Sequence, residues 1–135
     1  KASLFKFPFG GIMKWLGGIP IDRSKNNDMV AQAVEKFKVH ENLSITIPPE
    51  GSRSAVQYWK SGFYFIAHKA QVPVLLGYID YARKVAGFGP LFYPTGDIDC
   101  DMEKIRHFYR NIRGKYPEQE TQARISPRHY RREIS

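Results

Sequence analysis

The sequence holds one cysteine, Cys100, in 135 residues, which excludes an internal disulfide and any cysteine-rich zinc site and makes a reducing compartment the simpler setting. No apolar run approaches the roughly 18 residues that a membrane-spanning helix needs, so a chain of this kind that meets a bilayer lies on it. The opening residues carry no secretory signal. Internal repeats, low-complexity segments, metal-ligand spacings and nucleic-acid motifs are all missing. Acid is in short supply, with 13 Asp and Glu against 21 Lys and Arg, and the net charge of +8 points to an anionic partner. A phosphorylated metabolite, an acidic membrane surface and a nucleic acid all fit that charge. The aromatic residues cluster with aliphatic ones instead of interleaving with basic ones, which argues against nucleic acid. The length suits one domain.

The most informative stretch is Leu43-Ser-Ile-Thr-Ile-Pro-Pro-Glu-Gly-Ser-Arg53. Leu43 to Ile47 alternate and are β-branched enough to predict a short buried strand, which Pro48 and Pro49 must end because neither can donate to a ladder. The next four residues deliver a carboxylate (Glu50), a glycine that lets backbone approach a bound group (Gly51), a hydroxyl (Ser52) and a planar fork of donors (Arg53). Such a set suits an anionic ligand. It equally suits a polar turn in which Glu50 and Arg53 pair with each other.

Around this stretch the pattern predicts strands alternating with helices. Pro8 to Leu16 reads as a helix apolar on most of its surface, either buried or presenting Phe5, Phe7, Phe9 and Trp15 to lipid with Lys6 and Lys14 at headgroup level. Gly17 and Gly18 stop it, and Ile19 to Arg23 reads as a short strand. Met29, Val30, Ala33, Val34 and Phe37 recur at helical spacing through His40, with Asn27 or Asp28 as the N-cap. Ser61 caps a helix over Gly62 to Ala70 with Phe63, Ile66 and Ala67 inward. Val72 to Ile79 is a second apolar strand, Tyr81 to Gly89 a basic turn, and Phe88 to Tyr93 a further strand linked as a hairpin. Asp99 or Asp101 caps a last helix with Met102, Ile105, Phe108, Tyr109 and Ile112 in one stripe, ended by Gly114. From Tyr116 the chain reads as a loosely held basic extension, residues 116–135, behind a domain of residues 1–115. The expected class is α/β, with a mostly parallel central sheet, flanking helices and an antiparallel hairpin.

Three pieces, Leu16-Gly-Gly-Ile-Pro-Ile-Asp-Arg-Ser24, Ile47-Pro-Pro-Glu-Gly-Ser-Arg-Ser54 and Val72-Pro-Val-Leu-Leu76, resemble in order and interval the second, third and fourth sequence blocks of the glycerolipid acyltransferase family. The likeness is to the type that acylates 1-acylglycerol-3-phosphate and covers nearly the whole chain. Trp59-Lys-Ser-Gly-Phe63 and Pro94-Thr-Gly-Asp97 resemble its small bacterial members. The resemblance implies the glycerol-3-phosphate acyltransferase-like fold and transfer of a fatty acyl group from acyl-CoA or acyl carrier protein to a lysophospholipid or glycerol-phosphate acceptor, in phospholipid biosynthesis. It implies a peripheral position on the cytoplasmic face of the membrane and no cofactor beyond the acyl donor. By position, Arg23 would hold the acceptor phosphate, Glu50, Gly51, Ser52 and Arg53 would shape the acceptor site, and Pro73 would lie near the acyl side. Ser52 stands where threonine is more usual and keeps the hydroxyl.

The family's catalytic motif, a histidine followed five residues later by an aspartate, is missing. The residues five positions after His40, His68, His107 and His129 are Ile45, Pro73, Ile112 and Ile134. In the family that motif precedes the second block, so the resemblance implies that it lies ahead of Lys1, that this chain supplies the acceptor phosphate-binding part, and that alone it does not turn over. The other reading of the charge and aromatics is a non-catalytic module that binds anionic lipid at a membrane surface. The remaining polar residues have ordinary roles: His68 a solvent-facing helical residue, His107 and His129 surface residues, Asp97 and Asp99 turn or cap residues. Lys60 could reach a phosphate, although a surface lysine is the more frequent outcome.

Overall fold

The computed structural model describes residues 26–52 and 54–126. The chain divides after Ser44 into two compact units. In the first, helix α1 spans Asn26–Val39 and buries Val30, Ala33 and Val34, the positions that recur at i, i+3 and i+4. It begins three residues before Met29, so Asn27 and Asp28 lie inside it and not at its cap. Lys36 and Lys38 in the last turn complement the negative end of the helix dipole. The largely apolar helix over Pro8 to Leu16 and the strand at Ile19 to Arg23 expected from the sequence lie outside the described residues.

Leu43 to Ile47 form no strand, a correction to the sequence expectation. β propensity expresses fit to a pleated neighbour, and among the described residues no strand pairs with this run. The one sheet among the described residues has two strands, and they are antiparallel: β1, Val74–Asp80, and β2, Val85–Phe92. The turn between them is shorter than predicted. Asp80, buried to 1% exposure, accepts the amides of Ala82 and Arg83 on Oδ1 at 3.0 and 3.1 Å, and Lys84 takes a left-handed φ of 56°. The chain thus reverses within four residues, and Val85 to Phe88, expected in the turn, pair with β1. The Asp80 carboxyl lies below its ordinary range, because the Arg83 amide, the Arg83 guanidinium and other amides hold its charge against the cost of burial.

Between Leu75 and Gly77 the register shifts, with Leu75 opposite Leu91 and Gly77 opposite Phe88. The extra residue falls at Gly89-Pro90, where proline has no amide to offer the ladder. Glycine is needed there for a second reason: a Cβ on Gly89 would lie 2.4 Å from the Phe108 ring. One face of the hairpin stays exposed and apolar, with Leu75, Ile79, Phe88 and Leu91 between 48% and 75% accessible.

Helix α2 spans Gly62–Ala70 and buries Tyr64, Phe65, Ile66 and Ala67, while Phe63, expected inward, is half-buried. Ser61 precedes it without a side-chain capping bond; its own backbone is already helical and its carbonyl takes the amides of Tyr64 and Phe65. At the other end Gln71 adopts a left-handed φ of 55° and the Val72 amide bonds back to Ala67, which closes the helix. Helix α3 spans Ile98–Tyr109 and buries Ile98, Asp101, Met102 and Ile105. Its cap is Asp97, two residues before Asp99 and four before Asp101, the caps expected, and it accepts the Cys100 amide at 3.0 Å.

Residues 116–126 are not a loose extension. The Thr121 hydroxyl donates to the Val56 carbonyl at 2.9 Å, the Trp59 amide bonds the Arg124 carbonyl at 2.7 Å, Trp59 and Ile125 form a parallel bridge, and Ala123 is buried. The sequence reading weighed the polar side chains of this segment and overlooked that its backbone could supply the bonds.

Candidate functional site

The Glu50 loop is built by backbone. The Gly51 amide donates to the Pro48 carbonyl at 3.2 Å, closing a β-turn whose central residues are Pro49 and Glu50, and the Lys60 amide clamps Pro49 from below at 2.8 Å. Gly51 has a φ of +66° and lies under the Lys60 side chain: a Cβ there would stand 2.9 Å from Lys60 Cε and 3.1 Å from Nζ. Both the dihedral and the close approach favour glycine. Ser52 Oγ accepts the Ser54 amide at 3.1 Å, which shapes the exit of the loop, and leaves the hydroxyl proton able to donate. Glu50 is half-buried beside the turn, and among the described residues neither it nor Lys60 takes part in an ion pair.

The structure therefore brings Glu50, Gly51, Ser52 and Lys60 together at one turn. Lys60, a surface lysine by sequence, has its ammonium over the glycine. Pro73 is exposed, one residue before β1. Arg23 and Arg53, the two guanidiniums assigned to a phosphate, lie outside the described residues, as does the alternative pairing of Arg53 with Glu50. Chemically, the ammonium and the hydroxyl form a surface that can hold an oxyanion, while the Gly51 amide is already engaged by Pro48.

A second polar cluster was not legible. Asp101 is fully buried, and its Oδ2 accepts the Tyr64 hydroxyl at 2.9 Å, the Thr95 amide at 2.7 Å and the Thr95 hydroxyl at 2.9 Å. Lys104 Nζ donates to Oδ1 at 3.2 Å, and the Gly96 amide donates to the Tyr64 hydroxyl oxygen at 3.0 Å. Burial alone would raise the Asp101 carboxyl, but the donors from Thr95, Tyr64 and Lys104 outweigh it and hold the group below its ordinary range. Tyr64 is pushed well upward, by burial first and then by the carboxylate it serves, and Lys104 is raised by its bond to Asp101. A carboxylate so occupied cannot act as a base. It works as a latch that ties the Pro94–Asp97 loop to α2 and α3.

His68, expected to face solvent, is half-buried beside this latch. Its ring stacks on Tyr64 with centroids 6.2 Å apart and planes 12° from parallel, and Nδ1 lies 3.3 Å from the Pro94 carbonyl. That nitrogen is held by the loop in the form protonated at Nδ1. The signal that could have revealed the latch was in the sequence: Asp101 falls three residues after Ile98 and four before Ile105, inside the apolar stripe, where an aspartate needs buried donors. Thr95, in the Pro94–Asp97 loop, was the nearest candidate donor.

Comparison with protein-family models, with curated proteins and with solved structures gives no match to this chain.

Proposed function

We propose that this chain forms the acceptor phosphate-binding part of an acyltransferase that moves a fatty acyl group from acyl-CoA or acyl carrier protein to 1-acylglycerol-3-phosphate. The observation that carries the reading is the Pro48–Gly51 turn with the Lys60 ammonium over Gly51 and the Ser52 hydroxyl beside it, within the residues that resemble the family's third block. In this role Lys60, Ser52 and Arg53 hold the acceptor's phosphate and Glu50 fixes the loop. Gly51, Ser52 and Lys60 are exposed, so each charge-assisted bond there contributes less than the roughly 1.5–3 kcal/mol of a bond shielded from water, and two or three act together to orient a headgroup. Orientation is the contribution of these residues to catalysis: a fixed phosphate sets the acceptor hydroxyl against the thioester carbonyl, where acyl transfer releases the carrier thiol. The base for that hydroxyl is the histidine of the family motif, which this sequence does not contain. The reading also entails a mostly parallel central sheet with the β1–β2 hairpin at its margin.

The test joins the chain to the segment bearing the histidine and aspartate at the family spacing and follows acyl transfer to lysophosphatidate. Lys60→Ala and Arg53→Ala should each raise the KM for the acceptor about tenfold or more; an active enzyme indifferent to both refutes the assignment.

One observation favours a second reading, a non-catalytic module on anionic lipid. The exposed apolar face formed by Leu75, Ile79, Phe88 and Leu91 suits contact with a bilayer. Liposome sedimentation separates the two: a pure binder sediments with acidic lipid as before when Glu50→Gln and Lys60→Ala are combined, while an acceptor site loses its lysophosphatidate binding.

A further inference from the structure

A second basic site stands apart from the Glu50 loop. Beyond the middle of α3 a cavity of about 570 Å³ is lined by Arg106, Arg110, Arg113 and Arg124, with Glu103 and Glu120 the carboxylates among its walls. Glu120 is already engaged, accepting the Gly114 amide on Oε1 at 2.6 Å and facing Arg113 at 3.5 Å. Among the described residues the side chains of Arg106, Arg110 and Arg124 have no hydrogen bond or ion pair, and Arg106 Nε is buried without an acceptor. A buried guanidinium N–H without a partner carries a desolvation cost that an anionic oxygen would remove. Arg106 lies in the last turn of α3 and Arg110 at its C-cap, where like charges at i and i+4 repel but the helix dipole tolerates cations. That does not account for Arg113, beyond the helix, or for Arg124, which comes to the same cavity from a separate segment.

The second feature is of mixed character. A cavity of about 320 Å³, lined by Tyr58, Ile98, Met102 and Ile125 together with the Asp99 carboxylate, is bordered by the same Arg106 and Arg124. Two arginines thus stand between a basic chamber and a less basic one that offers an aromatic ring, Tyr58, 37% exposed. A ligand matched to both has phosphates at one end and a flat, weakly polar body at the other.

We propose that this pair of cavities binds a nucleotide, its phosphates taken by Arg106, Arg110 and Arg124 and its base placed against Tyr58 and Met102. Guanidiniums donate to phosphate oxygens in pairs, and a base stacks on an aromatic face whatever its identity. The site does not depend on the acyltransferase reading, and no residue of the Glu50 loop belongs to it.

The test is calorimetric titration of the 135-residue chain at low salt with ADP and, separately, with inorganic pyrophosphate. ADP should bind more tightly than pyrophosphate. Arg106→Gln and Arg124→Gln should each weaken ADP binding about tenfold or more, Tyr58→Ala should weaken ADP but not pyrophosphate, and Lys69→Gln, on α2, should change nothing. If Arg106→Gln does not fold, the exposed Arg124 and Arg110 carry the test. Equal affinity for ADP and pyrophosphate, or equal weakening by Lys69→Gln, or no weakening by the arginine variants, overturns the proposal.

Discussion

Replacing Tyr64 by phenylalanine isolates one bond of the buried latch. The ring stays, so no cavity opens; only the hydroxyl is lost, with its 2.9 Å bond to Asp101 and its acceptance of the Gly96 amide at 3.0 Å. Gly96 is exposed, so water replaces the second bond at little cost. The first is charge-assisted and buried, worth about 1.5–3 kcal/mol. Tyr64→Phe should therefore destabilise the protein by about 2 kcal/mol. For a chain of this length that lowers the melting temperature by roughly 6–12 °C, read by far-ultraviolet circular dichroism at pH 7. Asp101→Asn should cost a similar amount, since its carbonyl oxygen can still take the three donors on Oδ2 but its amide then faces Lys104. The two changes share a bond, so the double variant should lose less than the sum. Acid supplies the sign. The folded Asp101 carboxyl lies below its unfolded value of about 3.9, so its contribution is complete above that value and is lost as pH falls through the folded one. The stability gap between wild type and Asp101→Asn should hold from pH 7 to about 5 and close below about 4. A Tyr64→Phe protein that melts with wild type, or a gap indifferent to acid, would refute the reasoning.

Other substitutions probe the frame around the candidate sites. Gly89→Ala drives a methyl to within 2.4 Å of the Phe108 ring and should cost about 1–3 kcal/mol in urea unfolding; Phe108→Leu on the same chain should recover part of that loss. Gly51→Ala meets both a left-handed φ of +66° and the Lys60 side chain, for about 1–2 kcal/mol of strain. It should also weaken lysophosphatidate binding, because the lysine is displaced. Asp80→Ala removes the acceptor of two turn amides and should destabilise the hairpin by about 1–3 kcal/mol, with faster amide exchange at Ala82 and Arg83 as the local readout.

Helices α2 and α3 could be read from the sequence because their apolar residues repeat with helical period and their ends carry turn chemistry. For α2 even the limits match, Gly62 to Ala70. The hairpin was legible in kind but not in register, since Lys84 closes a tight turn in a left-handed conformation that lysine rarely adopts. Leu43 to Ile47 show the limit of alternation as a guide: it says which face a strand would bury, not whether a partner strand is beside it. At the candidate site the sequence singled out Glu50, Gly51, Ser52 and Lys60 by residue type, and the backbone bond from Lys60 to Pro49, invisible in sequence, is what draws them together. The Asp101 latch escaped because its donors come from α2, from α3 and from the Pro94–Asp97 loop, up to 37 residues apart. Arg124 likewise read as part of a loose basic extension, while the chain brings it to one cavity with Arg106, Arg110 and Arg113.

The most direct measurement of the acceptor-site account is a binding titration of this chain with a short-chain, soluble 1-acylglycerol-3-phosphate and with the monoacylglycerol that lacks only the phosphate. The account predicts that the phosphate ester binds about tenfold or more tightly, and that Lys60→Ala and Arg53→Ala each abolish most of that advantage. Equal affinity for the two lipids, or a phosphate preference untouched by either substitution, would contradict it.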